Sequence, residues 1–245
     1  MDPATPYCGP APGPATLMIA WNLDPTLLAI LALAGGVGFA ALRQVPGRRG
    51  AFGLGMGALV LAFVSPLCAL TVALFSARAV HHLVLIGLAA PALALAFPMR
   101  RVPLKAAWAS LAAALLAWHI PAIYTAAWDS ALIYWLMQGA LLIPAWAFWS
   151  AVFTRSDAVL APFSHAALIA GLAGLMGFLG AVLTFAPRPL YPEHLAGTDA
   201  FGLSLLGDQQ LSGLIMWIPG MLPFALMAAL TLLKGWRQVQ REGTV

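Results

Sequence analysis

Seven long apolar runs alternate along the chain with short segments that contain proline, glycine and charged residues. Each run is close to the roughly 20 residues that a helix needs to cross the hydrocarbon core of a bilayer. The runs cover residues 23–42, 50–74, 79–98, 106–124, 130–152, 162–186 and 209–233. The pattern predicts an all-α fold, a polytopic transmembrane helical bundle of about seven spans.

Composition supports a membrane protein and argues against a soluble domain. The chain has 245 residues, of which 62% are hydrophobic and 8% are charged, whereas soluble domains have roughly half apolar and about a quarter charged residues. We therefore expect an extracytoplasmic N-terminal segment (1–22), a seven-span membrane domain (23–233) and a cytoplasmic tail (234–245). The first 25 residues contain no Lys or Arg and are broken by prolines, so no cleavable signal peptide is expected.

The basic residues indicate topology rather than nucleic-acid binding, because they lie in small groups between apolar runs and form no basic stripe. Ten fall in one set of alternate loops and two, Arg78 and Arg188, in the other. Cytoplasmic loops carry the excess of Lys and Arg. The N-terminus is therefore predicted outside, and the C-terminus in the cytoplasm. The ten are Arg43, Arg48, Arg49, Arg100, Arg101, Lys105, Arg155, Lys234, Arg237 and Arg241.

With this topology, donor atoms from distant parts of the chain fall near the outer face. His119 lies about five residues, or roughly 8 Å, below the outer end of the fourth predicted span. Ionisable groups at membrane depth mark functional sites by default. Imidazole and sulfur donors suit copper, and the softer sulfur ligands favour Cu(I). The candidate metal ligands are His82, His119, Cys68, Cys8 and His81.

Other polar groups at this depth are candidates for a surrounding shell. Amides and carboxylates that bond to a ligating imidazole fix its tautomer and orientation. The expected members of this shell are Asp208, Gln209, Gln210, Gln138 and, as a nearby cation, Arg78.

Three simpler interpretations stand beside the metal site. Adjacent helical residues point about 100° apart, so His82 is expected to look into the bundle and His81 to meet water, headgroups or a neighbouring helix. Cys8 and Cys68 form either sulfur ligands or a disulfide in an oxidising compartment. Met137, Met176 and Met216 are expected to pack in the core.

No HExxH, GxSxG, P-loop or Rossmann motif occurs in the sequence, so an enzyme is not expected.

Several segments resemble, in order, the landmarks of the CtaG-type cytochrome c oxidase assembly factors. They include FSARAVHHLVL, AWHIPAIY, YWLMQGALLIPAWAFW, LTFAPRPLYPEHL and DQQLSGLIMWIPG, and the similarity runs from about residue 6 to residue 233. The resemblance implies a multi-pass protein of the bacterial inner (plasma) membrane that is needed to form haem-copper oxidase and that helps copper reach it. Oxidase subunits, and periplasmic copper chaperones, are the implied partners.

The resemblance carries over residue by residue, with two departures. His82 matches the closing histidine of the family's HMxxH segment, His119 matches its WH pair, and residues 208–210 match its DQQ triplet. Arg78 and Gln138 stand where relatives often have histidine, which removes two potential ligands. Two alternatives to copper delivery remain open: a transporter of copper or another solute, and a metal-free scaffold for an oxidase subunit.

Overall fold

The computed structural model describes residues 6–154 and 161–242, and within these residues the chain is helical with no strand. Arg155 and the outermost residues of the two predicted terminal segments lie outside this part. The longer helices are α1 (Pro25–Ala41), α2 (Pro46–Phe63), α3 (Pro66–Ala73), α4 (Phe75–Ala96), α5 (Leu104–Trp118), α6 (Pro121–Asp129), α7 (Ala131–Phe153), α8 (Ala161–Phe185), α9 (Leu205–Trp217) and α10 (Leu222–Glu242). Short helical turns occur at Leu17–Ile19, Pro192–His194, Leu195–Thr198 and Asp199–Phe201. The predicted all-α membrane bundle is confirmed.

In the described residues, four helical stretches are long and apolar enough to cross a membrane, or up to six if each of two bent pairs is one span. The four are α4, α7, α8 and Leu205–Arg241, which α9 and α10 form together. The bent pairs are α2 with α3, at 44°, and α5 with α6, at 80°. Helix α1 is apolar but only 17 residues long. The count of seven spans and the orientation of the bundle stay predictions.

Both bends occur where proline interrupts an apolar run. Pro66 and Pro121 each occupy the first turn of the following helix, where a missing N–H costs nothing. A proline also disfavours helical geometry in the residue before it, and Ser65 and Ile120 are indeed extended. The predicted spans 50–74 and 106–124 are therefore each two helices.

These boundaries correct three expectations. His119 does not lie within a helix but ends α5, at the 80° turn. Arg78 is not in a loop, because α4 begins at Phe75 and includes it. Helix α10 continues to Glu242, so most of the predicted tail is helical.

Helix α4 contains a π-helical stretch, Leu85–Ala89, directly before Pro91. The N–H of Ala90 donates to the carbonyl of Leu85, which leaves the carbonyl of Ile86 without its usual partner. The indole Nε1 of Trp149 on α7 donates to that carbonyl at 2.8 Å. A side chain from a neighbouring helix thus satisfies a backbone group that neither water nor lipid would reach.

Helices α8 and α9 approach closely through glycine. A Cβ added to Gly180 would lie 2.6 Å from the carbonyl oxygen of Gly213, so a larger residue would force the helices apart. Small residues allow such contacts where apolar burial provides no drive for helices to associate. Met176 lies about one turn from Gly180, and Met216 about one turn from Gly213.

Candidate functional site

The connection between α8 and α9 folds onto one end of the bundle, which we call the polar end and which also carries residues 6–24, His119 and the α3–α4 junction. The hydroxyl of Tyr191 donates to the carbonyl of His119 at 2.8 Å. The Tyr191 ring stacks on Phe75, with 4.2 Å between centroids. The connection thus packs over His119 and the start of α4.

His194 fastens the same connection and is completely buried. Its Nδ1 lies 3.1 Å from the carbonyl oxygen of Val72, and its Nε2 lies 2.8 Å from the hydroxyl of Tyr124. Because a carbonyl only accepts, Nδ1 carries the proton and Nε2 accepts from Tyr124. Burial, and then the positive charge of Arg78, lower the pKa of His194 to about 3. The imidazole is therefore neutral at physiological pH.

Beneath this cover lies a small cavity between α4, α5, α6, α8 and α9. The space open to the centre of a water molecule is about 20 Å³, which is enough for about one water or one ion. The lining residues that bear polar or sulfur atoms are Arg78, His82, Trp118, His119, Tyr124, Met176, Ser212 and Met216.

His82 on α4 and His119, which follows the last residue of α5, both line this cavity. The Nδ1 of His119 lies 2.6 Å from the carbonyl oxygen of Leu115 and so carries its proton, which leaves the lone pair of Nε2 free. The Nε2 of His82 is buried without a hydrogen-bond partner. Two imidazoles thus line one small space, and the structure gives no hydrogen bond to the Nε2 of His82.

His81 faces a different side of α4. It is 1% exposed and packs edge-on against Phe63 of α2, with 5.2 Å between ring centroids. Neither ring nitrogen has a hydrogen-bond partner. Of the three surroundings expected for His81, the structure shows the neighbouring helix. His81 does not line the cavity, so it is not placed to share a ligand with His82.

Cys8 and Cys68 are joined in a disulfide, with 5.4 Å between their Cα atoms. The expectation that they supply sulfur ligands is therefore wrong for this state, because metals bind the thiolate. The disulfide ties the N-terminal segment to α3. The hydroxyl of Tyr134 lies 3.4 Å from the sulfur of Cys8. Neither cysteine lines the cavity.

The expected orienting shell has a different role. Asp208 accepts from the backbone N–H groups of Phe75 (2.6 Å) and Ser76 (3.2 Å) and from the Ser76 hydroxyl. It therefore caps α4, whose first N–H groups favour a negative charge. Gln209 accepts from the N–H of Leu190 at 2.6 Å and donates to the carbonyls of Leu183 and Arg188.

The other two amides do not orient the imidazoles either. Gln210 is half-buried and lies outside the cavity lining. Gln138 is buried on α7, and neither of its amide atoms has a hydrogen-bond partner. It also lies outside the lining. The amides of the DQQ segment build the polar end rather than the walls of the cavity.

Arg78 brings a fixed positive charge to the cavity. It is buried, and its Nη2 donates to the carbonyl of Thr71 at 3.3 Å. Its guanidinium carbon lies 5.4 Å from the ring centroid of Tyr124 and 5.9 Å from that of Tyr134, within the range of cation–π attraction. Its Nε has no hydrogen-bond partner.

Similarity to known proteins agrees with this membrane architecture. The family model described as cytochrome c oxidase caa3 assembly factor (Caa3_CtaG) matches residues 33–238. The chain belongs to this family. The match covers α2 to α9 completely, together with most of α1 and α10. No curated protein and no solved structure matches the chain. Oxidase-related partners follow from the family, which is not a known family of catalytic enzymes.

In this assembly factor the cavity also contains residues that the sequence assigned to packing. Met176 and Met216 are buried and line it from α8 and α9. Ser212 lines it too, and its hydroxyl is buried without a partner. A methionine inside an apolar run gives no signal of such a role. Only the packing of α8 against α9 and α4 brings these side chains together.

Harder ligands do not converge in the same way. Among residues 6–154 and 161–242, no three His, Cys, Asp or Glu side chains form a group that could hold a metal ion. The residues that line the cavity bring two imidazoles and two thioethers, together with the hydroxyls of Tyr124 and Ser212 and the guanidinium of Arg78, but no carboxylate. Such a set is too soft for calcium or magnesium and suits a soft ion such as Cu(I).

Proposed function

We propose that this assembly factor handles copper for a maturing haem-copper oxidase at the extracytoplasmic face of the bacterial plasma membrane. The observation that carries the proposal is the pair of free imidazole nitrogens, from His82 and His119, at one cavity of ionic size. Copper is here a cargo that must enter and leave. A site with few ligands suits transfer better than a closed structural site would.

Two features support an extracytoplasmic position. The ten-to-two bias of basic residues favours an outer N-terminus, and the disulfide that holds the N-terminal segment is typical of an oxidising compartment. The cavity lies at the same end of the bundle, beneath the connection between α8 and α9. Periplasmic copper chaperones and oxidase subunits are the partners that would meet this end.

The chain's own groups account for holding and releasing an ion. The carbonyl of Leu115 fixes the tautomer of His119, so that its Nε2 is the ligand atom. His82 and His119 are half-buried as residues, whereas the Nε2 of His82 is itself buried. Tyr191 bonds to the backbone of His119, which links the covering connection directly to one of the two ligand residues.

The test is oxidase maturation in cells that produce His82→Ala together with His119→Ala. We expect the oxidase subunits to be made but the purified oxidase to have a lowered ratio of copper to haem. The control is His165→Ala, since His165 lies on α8 and does not line the cavity. A double variant that supports oxidase with full copper content would overturn the proposal and favour the metal-free scaffold.

A further inference from the structure

We propose that the cavity is a site for a single monovalent soft cation, Cu(I), whose ligands are His82, His119 and the thioethers of Met176 and Met216, with Arg78 selecting against divalent ions. This inference rests on the proposed copper-handling function. It adds the complete donor set, the oxidation state of the cargo and a residue that determines specificity.

The two methionines lie on helices that approach each other closely. Gly180 and Gly213 bring α8 and α9 together, and each methionine lies about one turn from one of these glycines. Met176 is 1% exposed, so its sulfur is shielded from water, and Met216 is buried as well. Both helices therefore present a sulfur side chain to the space that His82 and His119 reach from the opposite helices.

The chemistry of these donors favours Cu(I). Thioether sulfur is a soft, neutral ligand that binds Cu(I) and contributes little to hard cations. Two neutral imidazoles and two neutral thioethers bring no negative charge to the ion. Divalent zinc or copper, which gain from thiolates or carboxylates, would find none among the lining residues.

Arg78 strengthens this preference through its charge. The guanidinium lines the same cavity and is buried, so its field is weakly screened there. Coulomb repulsion is proportional to the charge of the bound ion, and a divalent ion is therefore repelled twice as strongly as Cu(I). Asp208 does not cancel this charge by direct pairing, because its oxygens bond to Phe75 and Ser76.

The size and polarity of the cavity agree with one ion. Its volume of about 20 Å³ excludes an organic ligand and admits about one ion or water. Ser212 lines this space, and its hydroxyl is buried without a partner in the described part of the chain. Buried polar groups are normally satisfied, and a hydroxyl oxygen has lone pairs that can face a water molecule or a cation.

The experiment measures Cu(I) affinity of the purified full chain in detergent, by competition with a chromophoric Cu(I) chelator under reducing conditions. We expect Met176→Leu and Met216→Leu each to weaken binding about tenfold and together about a hundredfold, if each thioether contributes about 1.4 kcal/mol. Leucine conserves volume and is tolerated in cores. The matched control, Met137→Leu, changes a buried methionine on α7 outside the lining and should bind as the wild type does.

X-ray absorption at the copper edge provides a second readout that a folding defect would not imitate. The wild type should show sulfur and nitrogen scatterers, and the double leucine variant should show nitrogen alone.

Zn(II) should not compete with Cu(I) in the wild type, whereas Ag(I), a monovalent soft ion, should. Effective competition by Zn(II) would refute the role of Arg78.

The remaining outcomes separate this inference from the proposed function. If the double leucine variant binds Cu(I) as tightly as the wild type while the His82 and His119 variant does not, the thioether ligands are wrong and the copper-handling function stands. If the wild type binds no Cu(I), both are wrong. Loss of binding in the Met137→Leu control would show that the methionine effect is structural and would overturn the assignment.

Discussion

The disulfide and the cavity are two regions of the polar end, and each brings together sulfur or imidazole groups from distant parts of the chain. Only at the cavity are these groups free of covalent bonds to one another. The sulfurs of Cys8 and Cys68 are joined in a disulfide bond. His82 and His119 line a shared space, and the Nε2 of His82 has no hydrogen-bond partner. The type of donor atom in a sequence therefore says little about whether it can bind an ion; its packing decides.

The surroundings of the two regions differ in the same direction. Beside the disulfide, the hydroxyl of Tyr7 donates to Asp24 at 2.7 Å, and its ring stacks on Tyr134. Around the cavity, buried atoms of His82, Arg78 and Ser212 lack partners. Folded proteins satisfy most buried polar groups and leave exceptions mainly at functional sites. The groups beside the disulfide are thus paired, whereas the cavity, like the surroundings of His81 and Gln138, contains buried atoms without partners; this agrees with the proposed role of the cavity.

The largest effect is expected from removing the disulfide by Cys8→Ser together with Cys68→Ser. The bond closes a loop between residues that are 60 apart in sequence, and chain entropy gives such a cross-link about 4 kcal/mol of stability. Thermal unfolding in detergent should show a large decrease in the unfolding temperature. Cu(I) affinity at a temperature where the variant is folded should stay near that of the wild type.

Reduction of the wild-type disulfide should reproduce that decrease, which serves as the control. If instead the double serine variant loses Cu(I) binding while it is fully folded, the division between a structural and a functional region is wrong.

A smaller effect, on both properties, is expected for Asp208→Asn. The charged carboxylate bonds to two backbone N–H groups at the start of α4, and such charge-assisted bonds contribute about 1.5–3 kcal/mol. Because Arg78 and His82 follow in the next two turns of α4, Cu(I) affinity should decrease as well. Thermal unfolding and chelator competition on one preparation measure both.

Ser76→Ala is the matched control for that variant, since it removes one neutral partner of Asp208 and leaves its charge. It should change stability less than Asp208→Asn does. An Asp208→Asn variant with wild-type stability would show that the carboxylate does not hold α4 in place.

The smallest effect is the pH dependence contributed by His194. Its pKa is lowered to about 3 in the folded protein, against about 6.5 for a free histidine. The unfolded chain therefore binds the extra proton first, so the contribution to stability is complete above about pH 6.5 and is lost progressively toward pH 3. Between pH 7 and pH 5 the loss should be about 1–2 kcal/mol.

The unfolding temperatures of the wild type and of His194→Gln are compared at several pH values. Because the two proteins share all other titrating groups, the comparison isolates the contribution of His194 to stability. The difference between the two proteins should shrink as the pH falls. A difference that is independent of pH would mean that His194 is not held neutral in the folded state.

The helical membrane fold was predictable from the sequence because long apolar runs have few alternatives in a bilayer. The helix breaks at Ser65 and Ile120 were harder to predict from the sequence, since proline inside an apolar run can either kink a helix or end it. His119 therefore came out at the end of a helix rather than within one.

Much of the candidate site depended on long-range packing that no local pattern encodes. The sequence predicts Asp208 as a member of the shell around the imidazoles. Its hydrogen-bond partners instead lie more than 130 positions away, on the backbone of α4. Met176 and Met216 looked like ordinary core residues, because a thioether in an apolar run has the same hydrophobic pattern whether or not it borders a cavity. Their convergence required the contact between α8 and α9.

The π-helical stretch in α4 changes the directions in which the side chains of its two halves point. It wraps one more residue into its turn than an α-helix would, and one residue corresponds to about 100° of rotation. The half of α4 that begins at Phe75 is thereby turned relative to the half that ends at Ala96. One helix can thus place His82 at the cavity while its other half packs against α2 and α7 at a different rotation about the helix axis.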